Sequence, residues 1–127
     1  MPRILIVDDS ATVRKLVRVH LKGKGYVFDE AGNGAEALKQ LAKTQYDLII
    51  CDLMMPVMDG IVLLRMKDSM HNMTPVILLT AEVSDTLAQA MASPCVMDYL
   101  QKPLDPGKLN VAVGQVVSLA ASEEATG

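Results

Sequence analysis

Tryptophan is missing from these 127 residues, and only four other aromatics are present, three Tyr and one Phe. A core built almost without rings must be aliphatic, and nine methionines are there to fill its irregular gaps. Cysteine is scarce as well: Cys51 and Cys95 form no Cys-x-x-Cys pair and sit in apolar surroundings. They read as small buried hydrophobes in a reducing cytoplasm. Basic excess is absent, with a net charge of −3, so direct nucleic-acid binding is not expected. Apolar runs of bilayer length are absent too, and the Met1 end has no signal-peptide pattern, so no membrane insertion is expected. What remains is one domain, 50% apolar and 21% charged, large enough to bury a core without staples.

The most informative stretch is Leu48-Ile49-Ile50-Cys51-Asp52-Leu53-Met54-Met55-Pro56-Val57-Met58-Asp59-Gly60. An uninterrupted apolar run ends in a carboxylate, and a loop punctuated by Pro and Gly follows. Such runs suit a strand buried on both faces of a parallel sheet. In open α/β sheets the chemistry lies just beyond the carboxyl ends of the strands, where Asp52 falls.

Ile4-Leu5-Ile6-Val7 is a similar run ending in Asp8-Asp9, and Ser10 or Asp9 can cap the helix that follows. Val13, Leu16, Val17, His20 and Leu21 share one face of that helix, with Arg14, Lys15, Arg18 and Lys22 mostly elsewhere. Gly23 and Gly25 stop it. Residues 26–31 form a more polar strand suited to a sheet edge, and Gly32-Asn33-Gly34 turns the chain into a helix faced by Ala35, Leu38, Leu41 and Ala42. After the strand at 46–51, residues 61–69 are helical but apolar on too many sides to show an inner face. Val76-Ile77-Leu78-Leu79 is a further buried strand ending at Thr80. Ser84 or Asp85 opens a helix that Pro94 ends, and residues 97–101 form a last strand ending at Lys102-Pro103. A final helix begins near Pro106, with Leu109, Val113, Val116, Val117 and Ala120 as its inner stripe. The alternation predicts an α/β fold, a parallel sheet with helices on both faces and right-handed crossovers. The folded unit is placed at residues 1–121, with 122–127 a disordered tail or the start of a linker.

A parallel sheet brings all strand C-termini to one edge. Asp8, Asp9, Asp52, Thr80 and Lys102 are thereby delivered to the same rim from four strands. Like charges at contact distance repel by roughly 4 kcal/mol at an effective dielectric near 20. Three crowded carboxylates therefore raise a pKa or require a cation. Hard oxygen donors without His or Cys favour Mg²⁺ or a similar ion such as Mn²⁺. A carboxylate beside such an ion and a lysine can act as nucleophile toward a phosphoryl group, and the Thr80 hydroxyl can donate to the new phosphoryl oxygen. Any one of these residues alone would be an ordinary surface acid or ion-pair partner. Their convergence is what points to chemistry.

Val7-Asp8-Asp9-Ser10, the run from Asp52 to Gly60, Thr80-Ala81 and Asp98-Tyr99-Leu100-Gln101-Lys102-Pro103 resemble the receiver domain of bacterial two-component response regulators. The similarity runs from Arg3 to about Ser118. It implies a CheY-like, flavodoxin-like (βα)5 doubly wound sheet with strand order 2-1-3-4-5. It also implies that Asp52 accepts a phosphoryl group from a histidine kinase or phosphotransfer protein. Asp8, Asp9, Asp52 and the backbone carbonyl of Met54 would hold Mg²⁺, and Lys102 would bind the phosphoryl oxygens. Thr80 and Tyr99 would switch together, and the Lys102-Pro103 peptide would be cis. The fourth helix, fifth strand and fifth helix, carrying Ala88, Tyr99 and Gln101, would then bind a downstream protein, as a monomer or a phosphorylation-dependent dimer. Chemotaxis is one pathway compatible with this. Such a protein catalyses only its own phosphorylation and dephosphorylation, and so is an enzyme only marginally.

Some positions depart from the family pattern. Cys95-Val96, preceded by Pro94, stands where many receivers have Gly-Ala, and Met54 and Glu82 occupy places that influence attack by water on the acyl phosphate. The main alternative is a phosphorylation-independent interaction module of the same fold. A flavin-type cofactor binder needs backbone amides cradling a phosphate after the first strand, where Asp8-Asp9 would repel it. A phosphatase acting on free substrates needs a cap or pocket that the sequence does not show.

Overall fold

Ten elements alternate along the chain of the computed structural model, which describes residues 1–55 and 58–126, the side chains of 120–126 excepted. The turn residues Pro56 and Val57, the side chain of Ala120 in the expected stripe, and Gly127 lie outside the described residues. The elements are β1 (Arg3–Val7), α1 (Ala11–His20), β2 (Val27–Ala31), α2 (Gly34–Lys43), β3 (Leu48–Asp52), α3 (Gly60–Ser69), β4 (Val76–Thr80), α4 (Asp85–Met91), β5 (Val96–Gln101) and α5 (Pro106–Thr126). The strands pair in parallel in the order β2-β1-β3-β4-β5, the order the resemblance implied. Residues 122–126, expected as a tail or linker start, continue the backbone of α5.

The central strands β1, β3 and β4 are apolar except at one end, Arg3, Asp52 and Thr80, because both of their faces are covered. Leu5, Val7, Ile49, Cys51 and Leu78 point to one side, against Ala37 and Leu41 of α2, Leu63 and Leu64 of α3, and Leu87 of α4. Ile4, Ile6, Leu48, Ile50, Ile77 and Leu79 point to the other, against Val17 of α1 and Leu109, Val113 and Val116 of α5. Alternate residues of one strand thus serve opposite cores. The edge strand β2 is half-buried, as its polar sequence predicts.

Helix starts follow local chemistry. Between the two candidates for α1, Ser10 is the cap, its hydroxyl accepting from Val13 N–H at 3.3 Å. Ser84 caps α4 in the same way, accepting from Leu87 N–H at 3.2 Å. Asn33 and Asp59 cap α2 and α3. Gly23 and Gly25 have φ of 84° and 80°, the left-handed conformation that lets the chain leave α1.

Some inner-face assignments change. Leu16 is exposed, because the α1 stripe facing the sheet is narrow and centred on Val17 and Leu21. In α2 the buried alanine is Ala37, while Ala42 faces solvent, a rotation of the helix about its axis. The inner face of α3, which periodicity left open, consists of Gly60, Leu63, Leu64 and Lys67.

Candidate functional site

The acid site follows from strand register. Val7 lies opposite Cys51, so Asp8 and Asp52 leave neighbouring strands at the same level. Asp52 in turn pairs with Leu79, and Thr80 with Gln101, which puts Thr80 and Lys102 at the same rim. Asp8, Asp52 and Thr80 are buried and Asp9 is exposed. Asp8, Asp9 and Asp52 each offer a carboxylate oxygen, all within 4.8 Å of one another. The Lys102 ammonium donates to Asp8 Oδ2 at 3.0 Å and lies 3.3 Å from Asp52 Oδ2.

Backbone groups hold the acids in place. Ser10 N–H donates to Asp8 Oδ1 at 2.9 Å, and Met54 N–H donates to Asp52 Oδ1 at 3.2 Å. Lys102 N–H donates to Thr80 O at 2.7 Å, and the Lys102-Pro103 peptide is cis, as the resemblance implied. Thr80 Oγ1 donates to Glu82 O at 2.8 Å, so its hydroxyl is occupied within its own loop. Tyr99 is 37% exposed on β5, and Met54 is 63% exposed beside Asp52.

Opposing effects act on the charged groups at the rim. Burial and the Asp8 charge push the Asp52 carboxyl above its ordinary value, against the lowering by Met54 N–H and Lys102. Burial alone would lower the Lys102 ammonium, but its hydrogen bond to Asp8 and the charge of Asp52 raise it. Burial, followed by the Asp52 and Asp8 charges, pushes the Cys51 thiol far up, which keeps it protonated and inert. Three oxygen donors around one point, with one of them resisting ionisation, suit a hard divalent cation.

Residues 4–114 match the family described as the response regulator receiver domain. The chain belongs to this family. Phosphorylation-based switching is typical of receiver domains, as are binding of Mg²⁺ in an acidic pocket and interaction with histidine kinases or phosphotransfer proteins. The transcriptional regulatory protein ResD of Bacillus subtilis is 37% identical over 119 residues, covering 94% of this chain and 49% of ResD. The transcriptional regulatory protein ZraR of Klebsiella oxytoca is 36% identical over 116 residues, covering 91% of this chain and 26% of ZraR. The receiver domain described here thus spans about half or less of the length of these curated relatives. Among solved structures, the chemotaxis response regulator CheY4 of Vibrio cholerae superposes with a TM-score of 0.81 at 34% identity, covering 91% of this chain and 98% of that one.

The receiver domain brings together Asp8, Asp9, Asp52 and Lys102, with Thr80 on the adjoining strand end. Tyr99 is exposed on β5. A cleft of about 730 Å³ lies at the opposite, N-terminal edge of the sheet, lined by residues including Arg3, Asp47 and Pro75. It shares no residue with the acid site.

Two features escaped sequence reasoning. Lys67 is fully buried, its ammonium donating to Asn72 O at 2.7 Å, where periodicity offers only an apolar helix. Arg14 belongs to the polar side of α1 by spacing, yet its guanidinium donates to the carbonyl of Asp8. The available signal for Arg14 was its position one turn after Asp9-Ser10, which faces it back toward the loop.

Proposed function

We propose that this receiver domain is a phosphorylatable signalling switch with Asp52 as the phosphoacceptor. The observation that carries this reading is the Lys102 ammonium bridging the carboxylates of Asp8 and Asp52, with Asp9 completing the oxygen cluster. The Asp52 carboxylate attacks the phosphorus of a phosphohistidine on a histidine kinase or phosphotransfer protein. The P–N bond breaks and the imidazole leaves. Lys102 shifts its contact toward the phosphoryl oxygens, and Thr80 exchanges its bond to Glu82 O for one to the phosphoryl group. Asp8, Asp9, Asp52 and the Met54 carbonyl would hold Mg²⁺ or Mn²⁺, which neutralises charge on the transferring oxygens when bound.

The acyl phosphate replaces the single carboxylate charge of Asp52 with a phosphoryl group, a net gain of about one negative charge together with three strong acceptor oxygens. Movement of Thr80 frees space toward which Tyr99 turns, and the face of α4, β5 and α5 changes its affinity for a protein target. Ala88, Tyr99 and Gln101 are exposed there, and a groove of about 410 Å³ runs between Tyr99, Leu100, Lys108 and Val111. The lack of basic excess, a net charge of −3 over the 127 residues, supports a protein target rather than nucleic acid. Among the described residues no helix is long and apolar enough to cross a membrane.

Incubation with Mg²⁺ and a small phosphodonor, followed by intact-mass measurement, tests the assignment. One phosphoryl group is expected on the wild type and none on Asp52→Asn. An undiminished gain on Asp52→Asn would remove Asp52 from this role.

A further inference from the structure

The Asp8 backbone is gripped from both sides. Its N–H donates to Ala31 O at 3.2 Å, and its carbonyl accepts from Nη1 of Arg14. Arg14 is itself held, its Nε donating to Glu30 Oε1 at 2.9 Å, and its side chain is only 18% exposed. Glu30 also accepts from Arg18 at 2.6 Å, and its own carbonyl accepts from Gln40 at 2.8 Å. Burial raises the Glu30 carboxyl, but the hydrogen bonds from Arg18 and Arg14 outweigh it and hold it below its ordinary value. The result is a chain of fixed groups from the edge strand β2, through α1, to the loop after β1.

The carbonyl that Arg14 grips belongs to the peptide joining Asp8 to Asp9. A peptide unit is planar, so fixing that oxygen fixes the orientation of the Asp9 N–Cα bond. Asp9 is the exposed member of the acid cluster, whereas Asp8 and Asp52 are anchored by burial and by Ser10, Met54 and Lys102. We infer that Arg14, braced by Glu30, is a positioning residue that aims Asp9 into the divalent-cation site through the Asp8–Asp9 peptide. The inference rests on the reading of the acid cluster as a cation site.

Charge and positioning predict opposite signs here. A guanidinium bonded to the Asp8 carbonyl puts positive charge on the loop that carries two of the acids and opposes a divalent cation there, so electrostatics alone makes Arg14→Met bind Mg²⁺ more tightly. Positioning makes it bind more weakly, because Asp9 loses its fixed approach. Partners that orient ligands by direct hydrogen bonds contribute roughly 10- to 100-fold in affinity; acting through one peptide, Arg14 should contribute about 3- to 10-fold. Arg14→Lys keeps the charge but lacks the fork that spans Glu30 and Asp8 together, and should lose about 2- to 4-fold.

The experiment is calorimetric titration of the full chain with MgCl2 at constant ionic strength, with circular dichroism confirming that each variant is folded. Weaker Mg²⁺ binding by Arg14→Met than by wild type is the expected result. Equal or tighter binding overturns the positioning role and leaves the cation site standing. Absence of Mg²⁺ binding by the wild type overturns both. Should Arg14→Met fail to fold, Arg14→Lys decides: weaker binding supports positioning, and wild-type affinity overturns it.

Discussion

Lys102 stands between two buried carboxylates, 3.0 Å from Asp8 and 3.3 Å from Asp52. Removing one partner of a buried ionic cluster leaves uncompensated charge, which costs roughly 3–5 kcal/mol in fully buried cases. Lys102 is 25% exposed, so Lys102→Met should destabilise the domain by about 2–3 kcal/mol at neutral pH without divalent cations. Urea unfolding measures this, and adding Mg²⁺ should recover part of the loss, because a cation among the three acids takes over the neutralising role of the ammonium. Lys102 was legible in the sequence because it ends a strand, as do Asp8, Asp52 and Thr80. Arg14 was marked only by its position one turn after Asp9-Ser10, because helical spacing gives the side of α1 on which a residue starts and not how far a long side chain reaches.

Two elements owe their placement to single contacts. The turn from β3 into α3 brings Gly60 so close that an added Cβ would lie 2.9 Å from Leu53 Cα and 3.0 Å from Asp52 O. Those are backbone atoms of the segment carrying the acid site, and they cannot step aside. Gly60→Ala should therefore destabilise by about 1–3 kcal/mol, read as a lower urea midpoint with an unchanged slope. At the other end of the sheet, the Tyr46 hydroxyl donates to Asp29 Oδ2 at 2.7 Å, tying β2 to the segment before β3. Burial and then the Asp29 carboxylate push the Tyr46 phenol up to about 12 from an ordinary 10.0. The native state keeps that proton where the unfolded chain has lost it, so the stabilisation is full below pH 10 and disappears between about 10 and 12. The stability difference between wild type and Tyr46→Phe, measured by urea unfolding across that range, should shrink as pH rises.

At the scale of the whole molecule, a cation site made of groups from separate strands links binding to folding. The unfolded chain cannot gather Asp8, Asp9 and Asp52, so on the proposed reading Mg²⁺ would bind the native state alone and stabilise it by RT ln(1 + [Mg²⁺]/Kd), about 2.7 kcal/mol at 100 times Kd. The melting temperature should climb steadily with MgCl2, and the climb should be much smaller in Asp9→Asn. Sodium chloride at matched ionic strength controls for screening.

The sequence by itself determined the alternation of five strands and five helices, the parallel sheet, and the convergence of acids, hydroxyl and ammonium on one rim. These are properties of period and of chain direction: apolar runs mark strands buried on both faces, and parallel strands must end on the same side. Only the tertiary structure decided which alanine of α2 is buried, that Leu16 is exposed, and which face of α3 turns inward around Lys67. Those depend on the rotation of each helix against the sheet, which several residue patterns satisfy equally until packing selects one. The same holds for Arg14, whose target is a carbonyl, a group every residue carries and no sequence pattern marks.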